Sequence, residues 1–249
     1  MKKIGIVGGL AWPSTADYYR LLCKKTNEHF RMADAPHPLP SPPMIIESLN
    51  ISETRAARGE DNNEASWATY DNIFKDAFVR LKKAGADFGM IASNTPHMRL
   101  ESIRQGLDFP VVSILDTTAS LAAEYGALNA LVLGTPVTMK SAVYPKALTE
   151  HKVTSLPQPN EATIEDLRKI IDIDLYHGKI EGAADRILTI SKENISNHKT
   201  DIVCLACTEL PLAFPQFTDL AYFEIDGIRF INTIAAHVER ALQKTLTDR

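Results

Sequence analysis

The chain has 249 residues, with 31 acidic side chains against 27 basic ones and a formal net charge of −4. That near balance leaves no electrostatic footprint for DNA, RNA or an anionic membrane surface. With 45% hydrophobic and 23% charged residues, the composition is that of an ordinary globular protein with enough apolar surface for one large domain or two small ones.

Met1-Lys2-Lys3 followed by Ile4-Gly5-Ile6-Val7-Gly8-Gly9 has the outline of a signal peptide. Its apolar run is short, β-branched and glycine-broken, with no small-residue cleavage site, so it reads as a first strand, Lys3–Gly8. No uninterrupted apolar run approaches the roughly 18 residues of a membrane helix. Further strand-like runs are expected at Met44–Asn50, Asp87–Ala92, Pro110–Leu115, Ala130–Gly134, Asp201–Ala206 and Leu220–Ile225. Helical patterns fall between most of them, at Pro13–Arg31, Ala65–Ala84, Asp116–Tyr125, Lys140–His151, Ile164–His177, Ile180–Asn197 and Ile231–Leu246. Strands alternating with helices predict an α/β fold with mainly parallel sheets. The proline-rich stretch Ala33–Pro43 reads as an extended surface connection, and polar Ser52–Ser66 as a lid or a solvated loop. Three cysteines, an odd number, argue against a disulfide framework and for a reducing compartment, which makes a cytoplasmic location the expectation.

Two stretches share one grammar. Ile202-Val203-Cys204-Leu205-Ala206-Cys207-Thr208-Glu209-Leu210-Pro211 and Met90-Ile91-Ala92-Ser93-Asn94-Thr95-Pro96-His97 each run from an apolar strand into polar residues and a proline that opens a helix. The carboxyl ends of such strands are where α/β sheets place ligands, so the two ends are read as walls of one active site. Cys207 is the reactive candidate, because a helix start just after it lowers a thiol pKa. Cys204 should point to the opposite face of the strand, and Cys23 lies in an amphipathic helix; both read as core. The Cys204-x-x-Cys207 pair is a poor redox or zinc motif, since it lies within a strand and no second pair completes a metal site. Asn94 and Thr95 N–H groups suit an anion such as a carboxylate. Ser93 is either a catalytic hydroxyl or a small residue tolerated there, and His97 is either functional or a capping histidine. The Gly5, Gly8, Gly9 cluster matches neither a dinucleotide fingerprint nor a phosphate loop; the strand ending at Gly8-Gly9 still lets a ligand approach the backbone.

These residues together resemble a known family. Ile4-Gly5-Ile6-Val7-Gly8-Gly9-Leu10-Ala11-Trp12 with Ser14-Thr15 and Tyr18-Tyr19-Arg20, then Asn94-Thr95-Pro96-His97, Leu133-Gly134-Thr135 with Thr138-Met139, and Cys207-Thr208-Glu209-Leu210-Pro211-Leu212 are similar to the signatures of cofactor-independent aspartate/glutamate racemases, in the same order. The resemblance implies two Rossmann-like domains related by a pseudo-twofold axis, with the active site in the cleft between them; the expected division is 1–112 plus 216–249, and 113–215. It implies no pyridoxal phosphate, other cofactor or metal ion, an acidic amino acid or other dicarboxylate as substrate, and a homodimer. Two cysteines flank the substrate α-carbon in that family. Here Cys207 stands at the second position and Ser93 at the first. A serine hydroxyl is a far weaker acid than a thiol, which makes an asymmetric racemase or epimerase the expected activity. Gly9, Leu10, Ser14, Arg58, Asn94, Thr95, Thr135, Thr208 and Glu209 are the expected substrate contacts, with backbone N–H groups at 94–95 and 208–209 holding the developing negative charge. The segment Asp61–Ser66 stands as an insertion, and Ile231-Asn232-Thr233 replaces a common Asp-Thr pair, with His237 following. Two rivals remain: a one-cysteine decarboxylase or isomerase of a dicarboxylate, and a dicarboxylate-binding protein without turnover.

Overall fold

The computed structural model describes residues 1–35, 37–60 and 63–247. The chain divides into two compact units, Met1–Ser113 with Val238–Arg249, and Ile114–His237.

In the first unit, β1 (Ile4–Gly8), β2 (Met44–Ser48) and β3 (Phe88–Ile91) form a parallel sheet in the order β2-β1-β3, with Ile6 opposite Ile46 and Met90. Every residue of β1 and β3 is buried, because helices cover a parallel sheet on both faces. That burial is why both segments read as unbroken apolar runs. The helices are α1 (Trp12–Met32), α2 (Ile51–Ala56), α3 (Ala68–Lys83) and the short α4 (Leu100–Ile103). On α3, Tyr70, Phe74, Ala77, Phe78 and Leu81 recur at helical spacing and pack with Val7 and Ile91 in one core cluster. The expected strand Pro110–Leu115 is a correction. Only Val111 makes a β-bridge, to Gly89, and Ile114 and Leu115 already belong to the next helix.

The second unit contains α5 (Ile114–Glu124), β4 (Asn129–Gly134), α6 (Pro136–Lys140), α7 (Val143–Glu150), β5 (Thr154–Ser155), α8 (Glu161–Lys169), α9 (Ala183–Asn194), β6 (Asp201–Ala206), β7 (Tyr222–Ile225), β8 (Ile228–Asn232) and the start of α10 (Thr233–Thr247). Its sheet has the order β5-β4-β6-β8-β7, parallel except for the final β7–β8 hairpin. Central β6 is buried along its whole length. Its alternate residues Ile202, Cys204 and Ala206 join one core cluster, while Val203 and Leu205, followed by Cys207, join the other. Cys204 and Cys207 therefore lie on opposite faces, as the strand period requires.

Residues 216–237 are a second correction: expected in the first domain, they belong to the second unit. The cause is β8, whose Phe230 and Ile231 pair with Val203 and Cys204 of β6. A hairpin turn at Asp226-Gly227, both residues in the left-handed region, returns the chain from β7 to β8, and Asp-Gly is a favoured pair for that turn.

Asp201 anchors the start of β6. Its buried carboxylate accepts from Asn129 Nδ2 at 2.7 Å and from the backbone N–H groups of Ser196 and Asn197 at 2.9 Å. Burial alone would raise its pKa, but the hydrogen bonds from Asn129, Asn197, Ser196 and Thr200 prevail and hold it below the ordinary carboxylate value. Asp201→Ala is expected to cost roughly 2–4 kcal/mol in urea unfolding at pH 7, because several buried donors lose their acceptor. With the folded pKa below the unfolded one, this stabilisation is complete above about pH 4 and is lost as acid titrates the carboxylate. The gap between wild type and variant should therefore narrow on acidification. Among the described residues, no helix is long and apolar enough to cross a membrane.

Candidate active site

In the second unit β6 ends at Ala206, and Cys207, Thr208 and Glu209 lead into a single 3₁₀ turn, Leu210–Ala213. The Cys207 side chain packs in the apolar cluster with Val203, Leu205 and Leu210 and is 6% exposed. Its Sγ–H donates to Glu209 Oε2 at 2.9 Å, and the Thr208 hydroxyl donates to the same oxygen at 2.9 Å. Both Thr208 and Glu209 are buried. One carboxylate oxygen thus gathers two donors beside the sulfur.

This environment reverses the expected direction of the thiol pKa. Burial, then the charge and acceptor oxygen of Glu209, push Cys207 well above the ordinary cysteine value. The Glu209 N–H bonds the sulfur and opposes the shift, while the Asp172 charge adds to it. The expected helix start is one turn of four residues, too short to build a macrodipole against a carboxylate at hydrogen-bond distance. Cys207 rests as a neutral thiol with a proton acceptor in contact. The Glu209 N–H, expected to hold substrate charge, is committed to the sulfur instead.

In the first unit Ser93 and Asn94 follow β3 and enter a 3₁₀ turn, Thr95–Arg99, with Pro96 in its first turn. His97 closes this turn: its Nδ1–H donates to the Ser93 carbonyl at 2.8 Å and its backbone N–H to the Asn94 carbonyl at 3.0 Å. The imidazole is fully buried, and that burial lowers its pKa to about 4 against the opposing hydrogen bonds. It is neutral at pH 7 and caps the turn. Ser93 is half-buried, and its hydroxyl has no hydrogen-bond partner among the described residues.

The other expected contacts sort by what already occupies them. Gly9 has φ +79°, and a Cβ there would stand 2.0 Å from the Leu49 carbonyl oxygen; its N–H donates to Thr15 Oγ1 at 2.9 Å. The close backbone approach that glycine permits is made by this chain's own Leu49. Leu10 packs against the first unit's core, and Ser14 is buried in the first turn of α1. Thr135 is the N-cap of α6, its hydroxyl accepting from the Thr138 N–H. Arg58 is exposed and hydrogen-bonds the Tyr70 hydroxyl.

The segment read as a lid opens with α2 and makes internal hydrogen bonds over its described residues. Asn50 caps α2, accepting from the Ser52 N–H at 2.9 Å. Farther along, Trp67 Nε1 donates to the Glu60 carbonyl at 3.1 Å, and the Glu60 N–H donates to Ser66 Oγ at 2.8 Å. Asp61 and Asn62, the first residues of the expected insertion, lie outside the described residues. At the start of α10, Asn232 Oδ1 accepts from the Ile234 and Ala235 N–H groups, and Thr233 donates to the Leu205 carbonyl. His237 is fully buried in that helix.

Sequence reasoning placed Glu209 at the site but gave the task to its N–H, overlooking the carboxylate two residues from the thiol. It missed Asp172 altogether. That residue lies in a π-helical turn, Ile170–Asp174, thirty-five positions upstream, and no local pattern links it to Cys207. Among the described residues, no group of three or more His, Cys, Asp or Glu side chains is placed to hold a metal ion.

Comparison with known proteins identifies the family and the fold. A family model described as Asp/Glu/Hydantoin racemase matches residues 7–241. The broad-specificity amino-acid racemase RacX of Bacillus subtilis (strain 168) is 28% identical over 211 residues, covering 83% of this chain and 85% of that protein. The crystal structure of an aspartate racemase homologue from Pyrococcus horikoshii OT3 superposes with TM-score 0.77 at 28% identity, covering 98% of this chain and 99% of that one. An aspartate racemase from Picrophilus torridus shares the fold, with TM-score 0.71 at 20% identity over 100% of this chain and 96% of that one.

Proposed function

Because the chain belongs to the Asp/Glu/hydantoin racemase family, and is an amino-acid racemase on that ground, we propose that it exchanges the α-proton of aspartate or glutamate without a cofactor, and does so unequally for the two enantiomers. The observation that carries the reading is the contact between the Cys207 thiol and the Glu209 carboxylate, with serine rather than cysteine at position 93.

Glu209 takes the thiol proton, and the Cys207 thiolate removes the α-proton of the substrate, which restores S–H. The electron pair left on carbon spreads into the substrate carboxylate as an enediolate. When the S–H proton trades with solvent before it returns to the same face, the outcome is exchange with retention, and Glu209 hands its proton back to the thiolate. Delivery from the Ser93 hydroxyl on the other face gives inversion; solvent then restores that hydroxyl and Glu209 releases its proton to solvent, which returns the site to its starting state. A serine hydroxyl can donate in this way but is a poor base at neutral pH, so removal from its side is slow. Ser14, Asn94, Thr95 and Thr208 are the proposed substrate contacts, with Leu10 and Arg58 bordering them. Gly9 and Thr135 act through the chain's own packing and capping. A homodimer in the cytoplasm completes the proposal.

Ser93→Cys tests it. Supplying a second thiol should raise the slower enantiomer's α-hydrogen exchange by at least about tenfold, toward the faster one's rate, because the acid–base group on that face then has the right acidity. An unchanged ratio between enantiomers would count against Ser93 as the second group. The neutral resting thiol of Cys207 also suits a decarboxylase that protonates a carbanion from one side; release of carbon dioxide from a substituted malonate would identify that activity.

A further inference from the structure

The 3₁₀ turn that follows Ser93 and Asn94 ends on Arg99, a residue the proposed chemistry does not use. Its guanidinium grips two carboxylates at once. Nε and Nη2 donate to Asp71 at 3.0 and 2.6 Å, while Nη1 and Nη2 donate to Glu64 at 2.8 and 2.5 Å. The guanidinium carbon also stands 5.3 Å from the centre of the Trp67 ring. The Arg99 and Asp71 side chains are only 12% and 13% exposed, whereas Glu64 is 76% exposed.

We propose that Arg99 is a positioning residue, which holds the Ser93–Thr95 backbone in place for the substrate by fastening its turn to Asp71 of α3. The proposal rests on the racemase reading given above. Three observations carry it. The turn is five residues of 3₁₀ helix followed by the four-residue α4, and such short pieces hold their orientation poorly by themselves. Arg99 joins this turn to α3, whose Tyr70, Phe74 and Phe78 belong to the unit's core. Lastly, the same side chain faces Trp67, whose indole N–H bonds the Glu60 carbonyl, so Arg99 ties the turn to the segment that carries Arg58 as well.

The two halves of the grip should matter unequally. A two-pronged ion pair with both partners largely out of water resists solvent competition and needs the planar fork of arginine. An ion pair to an exposed glutamate contributes little. The Asp71 half is therefore the anchor.

The test compares wild type, Arg99→Lys, Asp71→Asn and Glu64→Gln by two readouts. One is hydrogen–deuterium exchange of the backbone amides in residues 93–99, with β1 amides as the internal reference. The other is kcat and KM for α-hydrogen exchange on aspartate or glutamate. Arg99→Lys and Asp71→Asn should both speed amide exchange in 93–99 while β1 stays protected. Both should lower kcat by about 10–100-fold with KM changed less than about threefold, the mark of misplaced groups rather than lost affinity. Glu64→Gln should match wild type within about threefold in each readout. Unchanged 93–99 amides in Arg99→Lys and Asp71→Asn would overturn the proposal, as would a general loss of protection that includes β1. Should Arg99→Lys not fold, Asp71→Asn, which keeps the arginine, decides by the same criteria. A wild type that exchanges no acidic amino acid would defeat the racemase reading instead, and the amide exchange would still decide whether Arg99 positions the turn.

Discussion

Replacing Glu209 with glutamine is expected to slow α-hydrogen exchange by about 10²–10⁴-fold, the usual worth of a well-placed proton acceptor, while making the Cys207 sulfur easier to ionise. The two effects oppose one another for a physical reason. The Glu209 charge and its acceptor oxygen stand behind burial among the causes that raise the Cys207 pKa. The amide removes the negative charge, so the pKa falls and the thiolate fraction at a given pH rises. The same change removes the base that must hold the thiol proton during turnover. Ultraviolet absorbance of the thiolate, read as the difference from Cys207→Ala across a pH titration, follows the first effect, and solvent deuterium incorporation follows the second. A Glu209 without a part in proton transfer would still lower the Cys207 pKa when replaced but would leave deuterium incorporation intact; that outcome, or a parallel fall in both signals, would contradict the assignment.

Cys207→Ala is expected to abolish exchange from the enantiomer that wild type handles fastest, a loss of at least about 10³-fold, since no other described thiol lies on that face of β6. Its structural cost should be modest. Removing one sulfur from an apolar cluster leaves a small void, about 1 kcal/mol, and the Glu209 oxygen keeps its hydrogen bond from Thr208. Urea unfolding of the variant should therefore stay cooperative, with a midpoint close to that of wild type. Retained exchange in a folded Cys207→Ala protein would assign the proton chemistry to another group.

Much of the fold was legible because it rests on period and burial. The runs at β1, β3, β4 and β6 were visible as apolar segments, and helices such as α1 and α3 showed their apolar faces at 3.6-residue spacing. What escaped depended on partners distant in sequence or on turn chemistry. The strand Ile228–Asn232 escapes a sequence reading, which leaves Ile228–Phe230 unassigned and gives Ile231 and Asn232 to the helix. The signal for it is the Asp226-Gly227 turn between Ile225 and Ile228, and the domain boundary depends on it. Pro110–Leu115 has β-forming residues, yet it contributes one bridge before α5 begins.

The site divides along the same line. The placement of Cys207 and Cys204 on opposite faces follows from strand geometry alone, and the location of Ser93 at a strand end was read from its neighbours. The acidity of Cys207 was read in the wrong direction, because a lowered pKa presumed a long helix where the chain builds a single turn and sets a carboxylate against the sulfur. Gly9 reads as a place where a ligand can approach the backbone, and the backbone of Leu49 already stands where a Cβ would be. Arg99 carries no local signature at all. Its significance comes from Asp71, which is 28 residues away, and from Glu64 and Trp67 on a segment that reads as a loop.

The central claim is that one thiol, partnered by Glu209, moves the α-proton from one side of an acidic amino acid. Incubating wild type separately with each enantiomer of aspartate and of glutamate in deuterium oxide, and following the α-hydrogen signal by NMR, tests it most directly. The predicted result is wash-in of deuterium at least about tenfold faster from one enantiomer than from its mirror image, absent in Cys207→Ala. Equal rates from both enantiomers, or no exchange from any of the four substrates, would contradict it.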